Sequence, residues 1–143
     1  MMNSSFSHVA ISCKNPLAVE QFYTKHFGFQ RARVIPLGEA QVVYIKKDTV
    51  YLEIFQATKV SPVSPAGGAG PEYPDWRHIA FTVDDVDKKL ADMGSEARVT
   101  LGPINFDDFI LGWRTAWLAD PEGNIVEITQ GYTDQVNPPP FSE

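Results

Sequence analysis

Ser7-His8-Val9-Ala10-Ile11 and Arg77-His78-Ile79-Ala80-Phe81 are two versions of one short strand. Late in each half a second motif repeats as well: Tyr51-Leu52-Glu53-Ile54-Phe55-Gln56 and Ile125-Val126-Glu127-Ile128-Thr129-Gln130. His8 precedes Glu53 by 45 positions and His78 precedes Glu127 by 49, so the chain reads as a duplicated unit carrying an imidazole and a carboxylate in register.

Working outward from these strands, residues 6–13 alternate, with Val9 and Ile11 on one face and His8, Ala10 and Ser12 on the other. Asn15-Pro16 is a helix start, Leu17, Phe22, Tyr23 and Phe27 fall on one helical stripe, and Gly28 stops the helix. Strands follow over 29–35, 40–46 and 50–56, with turns at Gly38 and at Lys47-Asp48. In the last of them Leu52 and Ile54 share one face, while Tyr51, Glu53 and Phe55 share the other. The second half repeats the order: a strand over 77–83, a helix over 84–93 ending at Gly94, then strands over 97–101, 113–119 and 125–130. Asp120-Pro121-Glu122-Gly123-Asn124 is a turn that sets the register of the strand bearing Glu127.

The expected architecture is therefore α+β, with two tandem βαβββ modules forming curved mixed sheets around a metal-binding cleft. A chain of 143 residues suits one domain. Within it, module 1 covers 6–56, a Pro/Gly-rich linker 57–76, module 2 77–130 and a tail 131–143. Eighteen acidic against twelve basic residues give a net charge of −6, which argues against nucleic acid or an anionic membrane as partner. The lone Cys13 has no partner for an intrachain disulfide, and neither a signal peptide nor a membrane-length apolar run is visible, so a cytoplasmic location is expected.

Taken singly, each proposed ligand has an ordinary explanation. A histidine opening a strand commonly bonds a backbone carbonyl, and a glutamate flanked by Leu and Ile commonly faces solvent on an antiparallel sheet. Packing does not demand the same two residue types at equivalent positions of both copies. Imidazole nitrogen and carboxylate oxygen suit one divalent ion, Ni, Co, Fe, Mn or Zn, with His8, Glu53, His78 and Glu127 as its ligands.

These motifs, together with Phe22-Tyr23, Phe27-Gly28-Phe29 and the stretch from Trp117 through Asp120-Pro121-Glu122-Gly123-Asn124 to Ile128, resemble the vicinal oxygen chelate superfamily. That superfamily includes class I glyoxalases, extradiol dioxygenases, epimerases, fosfomycin-resistance enzymes and bleomycin-binding proteins. The His, Glu, His, Glu order is closest to class I glyoxalases. The resemblance implies a metal-dependent lyase or isomerase that acts on a small substrate with vicinal oxygens through an enediolate-type intermediate, with Glu127 or Glu53 as proton shuttle. An extradiol-type dioxygenase and a non-catalytic binding or resistance protein are the alternatives. Ser12 and Ala57 stand where bacterial glyoxalases carry an Arg and an Asn serving glutathione, which sets lactoylglutathione apart from the expected substrate. Tyr51, Phe55, Trp113, Arg114 and Trp117 are the candidate substrate-binding residues, with Arg114 available for an anionic group. The resemblance also implies a homodimer; in many relatives a cleft draws one His and one Glu from either chain, in others one chain supplies all four, and the sequence does not choose between them.

Overall fold

The computed structural model describes residues 2–141. The first half contains β1 (Val9–Cys13), α1 (Pro16–Phe27), β2 (Gln30–Leu37), β3 (Ala40–Lys47) and β4 (Val50–Gln56). The second contains β5 (Ile79–Thr82), α2 (Val86–Met93), a 3-10 turn (Gly94–Glu96), β6 (Arg98–Asn105), β7 (Arg114–Ala119) and β8 (Ile125–Gln130). The fold is α+β, two tandem βαβββ modules, each with a curved, mixed four-stranded sheet. The strand orders are β1-β4-β3-β2 and β5-β8-β7-β6. In both, the first strand runs parallel to the last, and the remaining pairs are antiparallel.

Chain contacts divide the molecule into two compact units. One runs through Pro65 and takes in Asp120–Asn124; the other holds Ala66–Ala119 and Ile125 onward. In the first unit, the Asn15 side chain accepts from the Ala18 amide at 3.2 Å, Pro16 occupies the first turn, and Gly28 ends α1 in the left-handed region at φ 73°. Each device answers a backbone group that a helix end leaves unpaired. The helix buries Val19, Phe22, Tyr23 and Phe27, and Ile45, Leu52 and Ile54 of the sheet are fully buried. Complete burial of each such side chain stabilises by about 1.5–3 kcal/mol.

Asp120 is also fully buried in this unit. Its Oδ1 accepts from the amides of Glu122 and Asn124, both at 2.9 Å, and its Oδ2 from Asn124 Nδ2 at 2.9 Å and the Tyr23 hydroxyl at 2.8 Å. The expected turn is thus wound around one carboxylate. The Glu122 carboxylate in turn accepts from the amides of Lys14 and Asn15, next to the start of α1.

In the second unit Asp85 caps α2 by accepting from the Lys88 amide at 2.9 Å, so the helix begins at Val86, two residues after the position expected from sequence. Val86, Met93, Ala116, Leu118, Val126 and Ile128 form its buried apolar side. The first strands of both modules are shorter than their alternation suggests: β1 starts at Val9 and β5 at Ile79, which leaves His8 and His78 just ahead of them. Conversely, β6 continues to Asn105 rather than ending at Leu101.

Both outer strands carry a bulge. In β2 one extra residue, Ala32, separates the pairs Arg31–Ile45 and Arg33–Tyr44. In β6 Thr100 stands between the pairs Val99–Leu118 and Leu101–Trp117. An extra residue reverses the alternation of faces along a strand. Arg31 therefore points to α1, where it is ion-paired with Glu20, and Arg33 lies on the opposite face.

Candidate functional site: two matching histidine–glutamate pairs

Alternation in β4 buries Leu52 and Ile54 and leaves Tyr51, Glu53 and Phe55 partly exposed on the face away from α1. His8 meets Glu53 there, Nε2 to Oε2 at 2.7 Å. The His8 Nδ1 lies 2.8 Å from the Ser7 hydroxyl, and its ring stands edge-on to Tyr44 at 5.6 Å. Tyr44 pairs across the sheet with Glu53 and hydrogen-bonds to it; burial, and then that hydrogen bond, raise the phenol's pKa above its ordinary value.

The second module builds the same arrangement with different support. Val126 and Ile128 are buried, and Glu127 faces the other way. Its Oε2 lies 2.7 Å from His78 Nε2 and accepts from Trp117 Nε1 at 3.0 Å. Trp117 pairs with Glu127 as Tyr44 pairs with Glu53, so the two modules hold their carboxylates with equivalent donors, an indole in one and a phenol in the other.

The far side of His78 determines its tautomer. Nδ1 lies 3.0 Å from the Ala69 carbonyl, which only accepts, so Nδ1 carries the hydrogen. Nε2 then faces the Glu127 oxygen. Two acceptors at 2.7 Å are held together by something positive, a proton or a metal ion. A ligating histidine ordinarily donates its second ring nitrogen to a carbonyl or carboxylate in this way. The donor chemistry therefore fits a divalent ion. Among the described residues, no group of three or more His, Cys, Asp or Glu side chains is gathered as a metal site; each module contributes a two-residue pair.

Ala69 is part of the 57–76 stretch read from sequence as a linker. It is 8% exposed and packs with Trp117 and Ile125, flanked by Ile104 and Phe106. Gly70 bonds back to the Gly67 carbonyl, and Thr100 donates to the Gly68 carbonyl at 2.6 Å. This part of the stretch is a fixed buttress behind His78. Tyr44 and Ala69 are the supporting residues that the motif reading missed; only strand pairing for the first, and no sequence signal for the second, points to them.

The other candidates separate by strand parity. Tyr51 and Phe55 share the Glu53 face, and Trp117 shares the Glu127 face. Trp113 donates its Nε1 to Thr129 at 2.9 Å and packs its ring against Phe106 at 5.0 Å. Arg114 is three residues from Trp117 and points to the other side of the sheet. There it holds Asp87 through Nε and Nη2, at 3.0 and 2.9 Å, and Asn105 through Nη1 at 2.7 Å.

The model of the Glyoxalase/Bleomycin resistance protein/Dioxygenase superfamily matches residues 5–128, and the chain belongs to that family. It is 27% identical over 131 residues to the uncharacterized protein YwkD of Bacillus subtilis (strain 168), covering 90% of this chain and 98% of that one. A glyoxalase family protein from Enterococcus faecalis superposes with a TM-score of 0.68 at 28% identity, over 90% of this chain and 99% of that chain. At the level of fold alone, lactoylglutathione lyase from Agrobacterium tumefaciens matches with a TM-score of 0.60 at 22% identity, over 90% and 95% of the two chains. The fosfomycin resistance protein FosX from Listeria monocytogenes matches with a TM-score of 0.67 at 13% identity, over 92% and 96%. Members of this superfamily generally bind a divalent metal and small molecules. No helix among the described residues is long and apolar enough to cross a membrane.

Proposed function

We propose that this protein is a glyoxalase-like, metal-dependent lyase or isomerase acting on a small substrate with two vicinal oxygens. The observation that carries the reading is the duplicated His–Glu pair, held at the same strand positions and at the same 2.7 Å in both modules. His8, Glu53, His78 and Glu127 are the proposed ligands of one divalent ion, Ni, Co, Fe, Mn or Zn. Such an ion supplies Lewis acidity to a substrate carbonyl.

The chain's own residues supply the rest. One carboxylate removes the proton beside the carbonyl and returns it to the neighbouring carbon, so no electrons leave the substrate and no co-reactant is consumed. We assign this role to Glu127, with Glu53 as the second candidate. The Trp117 indole donates to Glu127 Oε2 and keeps the carboxylate aimed as it moves the proton. The Ala69 carbonyl keeps the proton of His78 on Nδ1 and leaves Nε2 for the ion. Tyr51, Phe55, Trp113 and Trp117 are the proposed apolar walls around the substrate. We further assign a cytoplasmic homodimer as the working unit, in line with the family, whose members are often dimeric.

The test is metal content of untagged protein beside His78→Ala, with turnover of hemithioacetals from several thiols measured after loading with each ion. About one ion per pair of modules, lost in His78→Ala, and turnover lost in Glu127→Gln that still binds metal, is the expected result. Full turnover by both Glu127→Gln and Glu53→Gln with metal bound would refute the proton-shuttle assignment.

A further inference from the structure

The Glu53 row continues across the first sheet beyond Tyr44. Ala10 pairs with Glu53, Glu53 with Tyr44 and Tyr44 with Arg33, so a carboxylate, a phenol and a guanidinium lie side by side on the face away from α1. Arg33 reaches that face because Ala32 is an extra residue; in a regular strand it would share a face with Arg31, which is committed to Glu20. Unlike Arg31 and Arg114, Arg33 has no hydrogen-bond or ion-pair partner among the described residues. An open depression of about 430 Å³ lies beside it, lined by Ala32, Arg33, Ile35, Tyr44 and Tyr51. The Lys46 ammonium stands 5.1 Å from the centre of the Tyr51 ring and adds a second positive charge to this face.

We propose that Arg33 is the anchor for an anionic group on the substrate, so that the protein selects small carboxylates whose vicinal oxygens lie at the opposite end of a flat or short apolar spacer. A guanidinium presents paired donors that match a carboxylate, and Arg33, exposed and unpaired beside this open depression, is free to do so. Two strand spacings separate the Arg33 and Glu53 backbones, about 10 Å, so one molecule the size of a substituted aromatic acid spans the row. Ile35 and the rings of Tyr44 and Tyr51 suit the spacer, and the volume suits a ligand of that size. The second module makes the contrast internally. The position equivalent to Arg33, after the equivalent bulge and opposite Trp117, is Leu101, so this charge belongs to one module only. The assignment of the vicinal oxygens to the His–Glu end rests on the function proposed above; the anion site at Arg33 does not.

Dihydrocaffeate carries a catechol and a carboxylate at opposite ends of such a spacer, and its amide differs only in charge. Both are titrated into metal-free and zinc-loaded protein, with binding followed by calorimetry. Wild type is expected to prefer the acid by about two- to fivefold, the range for an ion pair at an exposed guanidinium such as Arg33. Arg33→Gln removes this preference and leaves amide affinity unchanged, Arg33→Lys keeps part of it, and Arg31→Gln keeps all of it. Equal affinity for acid and amide in the wild type, no saturable binding of the acid, or an undiminished preference in folded Arg33→Gln each overturns the proposal. If zinc strengthens neither ligand while Arg33 still governs the acid preference, the metal reading fails and the anion site stands.

Discussion

Replacing Tyr23 by Phe removes one oxygen from the interior and leaves the ring in place. The structure makes the cost calculable. Tyr23 and Asp120 are both completely buried, and the hydroxyl donates to Oδ2 at 2.8 Å. Two amides and Asn124 Nδ2 also donate to the carboxylate, and these belong to its own turn, whereas the phenol reaches it from α1. A hydrogen bond to a charged acceptor is worth about 1.5–3 kcal/mol, and the cavity left by one oxygen adds little. At this chain length each kcal/mol moves the midpoint by about 3 °C, so Tyr23→Phe should lower Tm by roughly 5–10 °C. Urea unfolding should show a lower midpoint at constant slope, as expected when stability changes without a change in the surface exposed. Tyr132, which is 57% exposed and bonded to Asp134, is the control: its Phe variant should lose less than about 0.5 kcal/mol. A loss in Tyr23→Phe no larger than in Tyr132→Phe would show that the buried carboxylate does not depend on the phenol.

Three further outcomes follow from Cys13, Tyr23 and Gly131. Burial, together with the charges of Glu122 and Asp120, pushes the Cys13 thiol up to about 12 from 9.0, and Tyr23 is raised for like reasons; native protein at pH 8 should therefore resist thiol reagents that label it at once in urea. Because both groups hold their protons more tightly when folded, their contribution is complete below pH 9 and is lost as pH rises toward 12, so the urea midpoint should fall steadily above pH 9; a flat profile to pH 11 would be the contrary result. Gly131 follows β8 at φ 80°, and a Cβ there would overlap the Gly112 carbonyl oxygen, so Gly131→Ala should cost more than about 2 kcal/mol in thermal unfolding, while unchanged stability would show that the Gly112 loop yields freely.

Much of this molecule was open to a reading of its residues, because two signals are local. Alternation in β4 and β8 places Glu53 and Glu127 on the faces opposite the apolar residues, and the Asn15-Pro16 and Gly28 stops bracket α1 as observed. What escaped were features that depend on pairing. Arg114 sits near Trp117 in sequence, yet the parity of β7 sends its guanidinium to Asp87. The bulge at Ala32 has no residue signature of its own, so the separation of Arg31 from Arg33 is visible only once β3 lies alongside. Ala69 is a small residue in a Pro/Gly-rich stretch, and its carbonyl acquires a role only through the nearness of His78. The duplicated His–Glu motif was legible as a repeat, but which charges stay unpaired beside it was not.

The bulge in each outer strand puts one side chain at the far end of the carboxylate row, where a single codon changes its character without touching the His–Glu pair. Arg33 and Leu101 occupy that position in the two copies, opposite Tyr44 and Trp117. Exchanging Arg33 and Leu101 between modules would move the charge from the first sheet to the second without altering either His–Glu pair.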